Sequence, residues 1–497
     1  MTTHPERWTL LVVAGSLSLY AWTLAPDLLW GGGDFATYQR RAYLNEVFGA
    51  GDVFDHPLWV ILAHPLTTVP VRSPAWRANF ASALFASLAL GFVYLAACRL
   101  TQSIIAAMLS AAALAVSHTF WTYAVMPKVY SLNALLLAAC VYLLLSWRQR
   151  GHSLCLYLCA FCYGLSFLNH LVMATAALGI AALVLAEYSR TQAADMRSTL
   201  TIAALCFAIG FAPSLALSLA KGAAGSNSQH VLGFLGAVRH AARPRALLQG
   251  LGWGLVLGVY QFPVTFVVGL LGLYRLWRHD RTAALLIGLV IAGTTLFMLA
   301  ATDPTVGGPY VWNLHYYLQA YVVFAVAMAV GFQELWARLS RRHQRAGLIA
   351  VSVLLPIVLY AAAPVLARRA LSRVPDFRPL AGRDNFAYVL SPWKQSEDGA
   401  RQFGRAVLSA LPPNGVLFAD YSIWAVIRYL QDVEGQRSDI ELVELHGQAT
   451  QVSTILSYRD RRPLFLADTY RYYDLDGIRR HFQIVPTGPI YRLRPRP

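Results

Sequence analysis

Asp34 stands directly behind three glycines, at positions 31 to 33, and six residues ahead of an arginine pair, Arg40 and Arg41. Glycines let the backbone approach a ligand closely or take positive φ, which raises the carboxylate above an ordinary solvated residue or helix cap. Two adjacent guanidinium groups can hold a phosphate through charge-assisted bonds, or meet anionic lipid headgroups without specificity; the sequence favours neither. Further ionisable and aromatic residues recur in short polar stretches: His56 with Asp52 and Asp55; His118, Trp121, Tyr123, Lys128 and Tyr130; Asn169 and His170; then Asp303, Tyr310, Trp312, Asn313, His315 and Tyr316. His170 beside Asn169 reads more readily as a packed, hydrogen-bonded residue, and Trp121, Tyr123 and Trp312 as an interfacial aromatic belt.

The elements that must carry these residues are membrane helices. Of 497 residues 57% are hydrophobic and only 13% charged, where a soluble domain carries about a quarter charged. Apolar runs of bilayer-spanning length recur. They predict about eleven transmembrane helices, near 8–25, 77–98, 102–117, 130–147, 153–168, 171–188, 198–220, 251–274, 282–301, 316–336 and 346–366. The first run follows Arg7 without a small-residue cleavage site and reads as a retained helix rather than a signal peptide. The segment 58–70 is apolar but short and proline-bounded, hence re-entrant or interfacial.

The net charge of +16 is nearly all arginine. A basic excess can mark nucleic-acid binding, but here the arginines cluster between apolar runs, as positive-inside topology requires, so no nucleic-acid partner is expected. Alternate short loops hold them, which places the N-terminus inside and the chemistry-bearing stretches 26–76, 118–129, 169–170, 221–250 and 302–315 outside. The loop 221–250 also holds Lys221, Arg239, Arg243 and Arg245, so the pattern is not clean. Ionisable groups at membrane depth usually face a cavity or a partner, and several loops supplying them to one face point to a shared cleft.

The tail, 367–497, mixes acidic and basic residues and has no long apolar run. Strand-like stretches at 415–420, 440–445 and 463–468 alternate with helix-like ones near 398–411, 422–431 and 448–458, which predicts a small α/β domain with a parallel sheet. The expected fold is thus an α-helical polytopic membrane protein, with a transmembrane domain over 1–366 and an extracytoplasmic α/β domain over 367–497. No dinucleotide or phosphate-loop motif is present. Cys155, Cys159 and Cys162 share a helix face but lie in an apolar span, where thiols pack as small hydrophobes.

Several segments in order resemble a known family: GGGDFATY at 31–38, DHPLWVILAHPL at 55–66, AVMPKVYSLNALLLA at 124–138, GLSFLNHL at 164–171, HYYLQAYVVFAVAMAVG at 315–331, and the tail stretch 412–445. KVYSLN and the YLQDVEG…SDI pair are the most specific. Together they look like the bacterial and animal multi-pass family that includes an endoplasmic-reticulum protein O-mannosyltransferase, within the GT-C superfamily of polyprenyl-phosphate-sugar-dependent glycosyltransferases.

The resemblance implies a catalytic acid in the first outer loop, which Asp34 fits, acting as general base in an inverting displacement. It implies a polyprenyl-phosphate sugar donor, mannose by precedent, and a hydroxyl acceptor such as Ser or Thr of an exported protein or a glycan. Arg40, Arg41 and Lys128 are then the candidates to bind the donor phosphate, and His56, Tyr130, Asn133, Asn169, His170, His315 and Tyr316 the substrate cleft. The chain departs from the family pattern where Ala36, Thr37 and Tyr38 replace a second acid, where His56-Pro57 runs on to Leu58-Trp59, and where Lys128 replaces a glutamate. One carboxylate then serves as base; no cofactor is expected, no metal is assigned, and a divalent ion stays open. The expected location is a bacterial cytoplasmic membrane, with the tail outside. Two alternatives remain: sugar transfer to a lipid or cell-wall glycan, and transport of a lipid or solute. Transport is disfavoured because no inverted repeat is visible and the ionisable groups gather at one face.

Overall fold

The structure is a computed structural model that describes residues 5–31, 34–48, 56–191, 194–222, 244–301, 310–374, 377–459 and 462–496. The first apolar run forms α1 (Pro5–Thr23). What reads as a loop after it contains a helix, α2 (Asp34–Leu44), followed by the short α3 (Pro57–Thr68). At 12 residues α3 is too short to cross a bilayer. Then come α4 (Pro74–Thr101), α5 (Ile104–Ala115), α6 (His118–Ala124), α7 (Tyr130–Arg150) and α8 (Ser153–Ser166). A 3-10 turn (Leu171–Ala176) leads into α9 (Ala177–Thr191), and α10 (Ala194–Gly222), α11 (Pro244–Gln261), α12 (Thr265–His279) and α13 (Arg281–Ala301) follow. A second 3-10 segment (Tyr310–Tyr317) precedes α14 (Leu318–Arg338) and α15 (Arg342–Ala370).

Among the described residues seven helices are long and apolar enough to cross a membrane, or up to nine with two bent pairs counted as one span each. One bend lies at the end of the span expected at 102–117, with α6 in the stretch expected as an outer loop, and the other interrupts the span expected at 251–274. The pair α5 and α6 turns by 71°, and the stretch 251–274 breaks by 115° between Gln261 and Thr265. Pro263 lacks an N–H, and Val264 sits at φ 65° in the break. The expected span at 153–168 is the 14-residue α8. The molecule is a multi-pass membrane protein of mostly helical architecture.

The bundle is built around α14, whose residues 318–329 are all buried, as expected of a helix apolar on every side. It packs closely on α12: a Cβ on Gly272 would strike the Ala327 carbonyl, and one on Gly331 the Val268 carbonyl. Small residues that let backbones approach are the usual currency of helix association in lipid. At the far end of α7 from the residues discussed below, Arg148 binds Glu187 of α9 at 2.9 Å and Asp280 at 2.7 Å. Cys140 and Cys159 exchange S–H contacts with each other's carbonyls between α7 and α8.

The tail forms a five-stranded sheet in the order β2-β1-β3-β5-β4. Strands β1 (Val416–Ala419), β2 (Glu441–Glu444) and β3 (Leu464–Leu466) are parallel and fall where sequence places them. A hairpin of β4 (Phe482–Thr487) and β5 (Ile490–Pro495) adds antiparallel to β3. Helices α16 (Asn385–Leu390), α17 (Gly399–Ala410), α18 (Tyr421–Glu434), α19 (Gln448–Leu456) and α20 (Leu475–His481) complete it. Its larger apolar cluster is shared: Leu28, Trp30, Ala36 and Ala75 from the membrane part pack with Leu417, Ile423, Val426 and Leu430.

Ion pairs reinforce that seam. Arg401 binds Asp27 at 2.5 Å and Glu434 at 2.6 Å. Burial alone would lower its pKa, but bonds to Glu434 and Asp27 more than reverse this and raise it. Replacing Arg401 with alanine leaves two carboxylates facing each other, and stability should fall by roughly 2–4 kcal/mol, somewhat under the figure for a fully buried pair because solvent still reaches the acids. Thermal unfolding of purified wild-type and Arg401→Ala protein measures this; equal midpoints would show that apolar packing alone holds the seam.

Candidate active site

Asp34 is the first residue of α2, and its position depends on the tail. On α2, Arg40 binds Asp432 of α18 at 2.5 Å and Thr37 accepts a hydrogen bond from Tyr421 at 3.0 Å. On the inner side Gln39 reaches the Asn79 side chain of α4 at 2.8 Å. Helix α2 is therefore clamped between the bundle and the sheet domain, with Asp34 at its open end.

Facing Asp34 is Lys128, in the turn between α6 and α7, whose backbone is tied to Ser82 of α4. The Lys128 ammonium forms a short ion pair with the Asp34 carboxylate. It also lies over three aromatic rings, Phe35 at 5.5 Å, Tyr38 at 5.4 Å and Tyr130 at 5.9 Å, an arrangement that favours a cation. The Lys128 side chain is 13% exposed and that of Asp34 48%, so the lysine is enclosed while the acid faces open space.

That space is a cavity of about 360 Å³. Asp34, Phe35 and Lys128 line one side. The bend between α5 and α6 turns His118, Thr119, Thr122 and Tyr123 toward it, and Tyr130, His315 and Tyr316 form a further wall. Phe377, Arg383 and Tyr388 close it from the segment that joins the membrane part to the sheet domain. That segment is sewn down: Trp30 donates to the Ala381 carbonyl at 2.9 Å, the Tyr388 hydroxyl donates to the Trp30 carbonyl, and the Lys394 N–H donates to the Thr23 carbonyl at 2.9 Å.

Behind the cavity, ring contacts run into the bundle. His315 stacks on Tyr130 at 4.1 Å and meets the Tyr123 hydroxyl at 3.1 Å. Tyr130 touches His170, which stacks on His56 at 4.8 Å with an interplanar angle of 11°. His56 Nδ1 lies 2.5 Å from the Asn169 carbonyl oxygen, and the Asn169 side chain donates to Asn133 Oδ1 at 2.6 Å. His170 Nδ1 accepts from Val172 N–H at 3.0 Å, which caps the 3-10 turn.

Of the residues singled out by sequence, Asp34, Lys128, Tyr130, His315 and Tyr316 therefore line one cavity. His56, Asn133, Asn169 and His170 form the layer that holds those rings in place. Arg40 and Arg41, expected at the donor phosphate, have other partners. Arg40 is engaged by Asp432 and by Glu46 at 2.6 Å, and Arg41 donates to the carbonyls of Glu46 and Val47 at 3.0 and 2.8 Å. Neither lines the cavity. The aromatic belt is also corrected in part: Trp121 is 2% exposed, donates to Thr23 at 2.8 Å and packs edge-on against Trp393, while Tyr123 is a cavity wall. Gly32, Gly33, Asp52, Asp55 and Asp303 lie outside the described residues, as do the side chains of Tyr310, Trp312 and Asn313. Sequence reasoning counts His118 and Tyr123 among the groups offered to a shared cleft without giving them a role there, and it passes over Arg383. The first two shared an outer stretch with Lys128, which was a usable signal; Arg383 had none.

Chemically the cavity offers one accessible carboxylate, an enclosed ammonium beside it, a guanidinium across it, and walls of aromatic rings. That set suits proton removal from a hydroxyl next to a bound anion.

Residues 55–196 match the family model described as the protein O-mannosyl-transferase TMEM260 N-terminal domain. The matched stretch holds His56, Lys128, Tyr130, Asn133, Asn169 and His170; Asp34 precedes it. Among solved structures, the fold is shared with ArnT from Cupriavidus metallidurans. The apo form aligns with a TM-score of 0.59 and the form bound to undecaprenyl phosphate with 0.58, each at 15% identity over 98% of this chain and 97% of that one. The chain is a multi-pass membrane protein that shares the fold of ArnT and is similar, through residues 55–196, to the protein O-mannosyl-transferase family.

Proposed function

We propose that the protein transfers a sugar, mannose in the first instance, from a polyprenyl-phosphate donor to a Ser or Thr hydroxyl of an exported protein. The observation that carries this reading is the Lys128–Asp34 ion pair at the wall of the cavity. Support also comes from the O-mannosyl-transferase family model and from ArnT, whose structure contains undecaprenyl phosphate. In this reading residues 1–366 form the membrane domain and 367–497 an outer α/β domain, in a bacterial cytoplasmic membrane with the N-terminus inside.

Asp34 takes the acceptor hydroxyl proton as the oxygen attacks the anomeric carbon from the face opposite the phosphate. The bond from the anomeric carbon to the phosphate oxygen breaks, and the polyprenyl phosphate leaves with one more negative charge. Lys128 stabilises that charge. An ammonium has three donors, so Lys128 can keep Asp34 in place while contacting the phosphate. The ring layer from His315 to His56 holds the wall that faces the sugar, and a fixed geometry of donor and acceptor supplies much of the acceleration.

Purified protein in lipid nanodiscs, given radiolabelled mannosyl-phosphoryl polyprenol and extracts of exported proteins, should place label on protein that β-elimination releases. Label recovered on a glycolipid or cell-wall glycan would replace the acceptor in this reading. Donor crossing the bilayer with no label transferred would contradict it.

A further inference from the structure

Several described arginines with little exposure are matched by an acid. Arg148 has Glu187 and Asp280, Arg378 has Asp420 and Asp468, and Arg401 has Asp27 and Glu434. Arg41 and Arg77 tie down backbone carbonyls of their own neighbourhood. Arg383 differs from both groups. Its Nε donates to Asn385 Oδ1 at 2.8 Å and its Nη2 to the Arg378 carbonyl at 2.8 Å. No carboxylate of a described residue pairs with it, and Nη1 has no described partner. The guanidinium lies over the Tyr388 ring at 4.8 Å and the Phe377 ring at 5.8 Å, and all three residues line the cavity. Burial lowers its pKa where the acid-matched Arg378 and Arg401 are raised. Glu397 attracts it from a distance without bonding to it, and a guanidinium so placed gains from an anion that meets it directly.

We propose that Arg383 is a second ligand of the donor phosphate, contributed across the cavity from Lys128 by the segment that joins the membrane part to the sheet domain. This rests on the polyprenyl-phosphate reading above and adds to it a residue and a reason. The phosphodiester of the donor carries one negative charge and the released monoester carries two. Lys128 is shared with Asp34, so it offsets less than one full charge. Arg383 supplies the second positive charge, and its free Nη1 end presents the N–H groups that a phosphate oxygen accepts. Its two existing bonds fix the fork to a segment anchored at Trp30 and Thr23, so little side-chain freedom is lost on binding.

The test compares undecaprenyl phosphate with undecaprenol, which lacks the phosphate, for binding to full-length wild-type protein and to Arg383→Met and Arg383→Lys. Loss of a charge-assisted contact should weaken undecaprenyl phosphate by roughly 10- to 100-fold in Arg383→Met and leave undecaprenol unchanged. Arg383→Lys should recover part of the loss. Unchanged phosphate-lipid affinity in Arg383→Met would overturn the proposal, as would equal weakening of both lipids, which marks a merely structural arginine. If wild-type protein bound the two lipids equally, the donor reading itself would fail and this proposal with it.

Discussion

Replacing Asp34 with asparagine should lower sugar transfer roughly 10²- to 10⁴-fold, the range over which a positioned general base contributes. The carboxamide has nearly the same shape and can still accept a hydrogen bond from Lys128, so the donor-binding wall is preserved. It cannot take a proton from the acceptor hydroxyl at neutral pH. The Asp34 side chain is 48% exposed and α2 is held by Arg40, Thr37 and Gln39 rather than by Asp34, so thermal stability should change little. Single-turnover transfer at saturating donor, alongside an unfolding curve, separates the two effects. Transfer within a few-fold of wild type would remove Asp34 from the base role.

Replacing Lys128 with glutamate should act on the donor instead. The change puts a carboxylate among the faces of Phe35, Tyr38 and Tyr130, which favour a cation, and beside Asp34, which repels it. Loss of a charged contact together with like-charge repulsion should weaken undecaprenyl phosphate by roughly 100- to 1000-fold. The neutral Lys128→Met, which removes attraction without adding repulsion, should fall between that variant and wild type. Titration of each variant with undecaprenyl phosphate measures this. Wild-type affinity in Lys128→Glu would leave Lys128 as a partner of Asp34 alone.

How far the sequence reaches can be seen element by element. The parallel strands β1 to β3 are legible because short runs of apolar and β-branched residues stand between polar helices. The β4–β5 hairpin is not, because Pro486, Pro489, Arg492 and Arg494 interrupt its pattern. Its cue is Gly488, at φ 62° in the two-residue turn. Helix α2 hides behind glycines and charges, although Phe35, Ala36, Tyr38, Gln39, Arg41 and Ala42 form one buried face at helical spacing. Apolar run length finds spans and is blind to bends, and the 71° bend is what brings α6 to the cavity.

Within the site, Asp34 and Lys128 were picked out separately. Their pairing spans 94 residues of chain and could not be read from either stretch. The same limit hides the partner of Arg40, Asp432, which is 392 residues away on the sheet domain. Arg383 sits in an irregular segment with no apolar period and no motif; what distinguishes it is its place against the cavity and, among the described residues, the lack of a carboxylate bonded to it.

The central claim is that the cavity beside Asp34 receives the lipid phosphate. A structure of the full-length protein with undecaprenyl phosphate tests it most directly. Phosphate density is expected against the Lys128 ammonium and the Arg383 guanidinium, with the Asp34 carboxylate open toward the acceptor side. Phosphate bound away from this cavity, with Lys128 and Asp34 still facing each other as a closed pair, would contradict it.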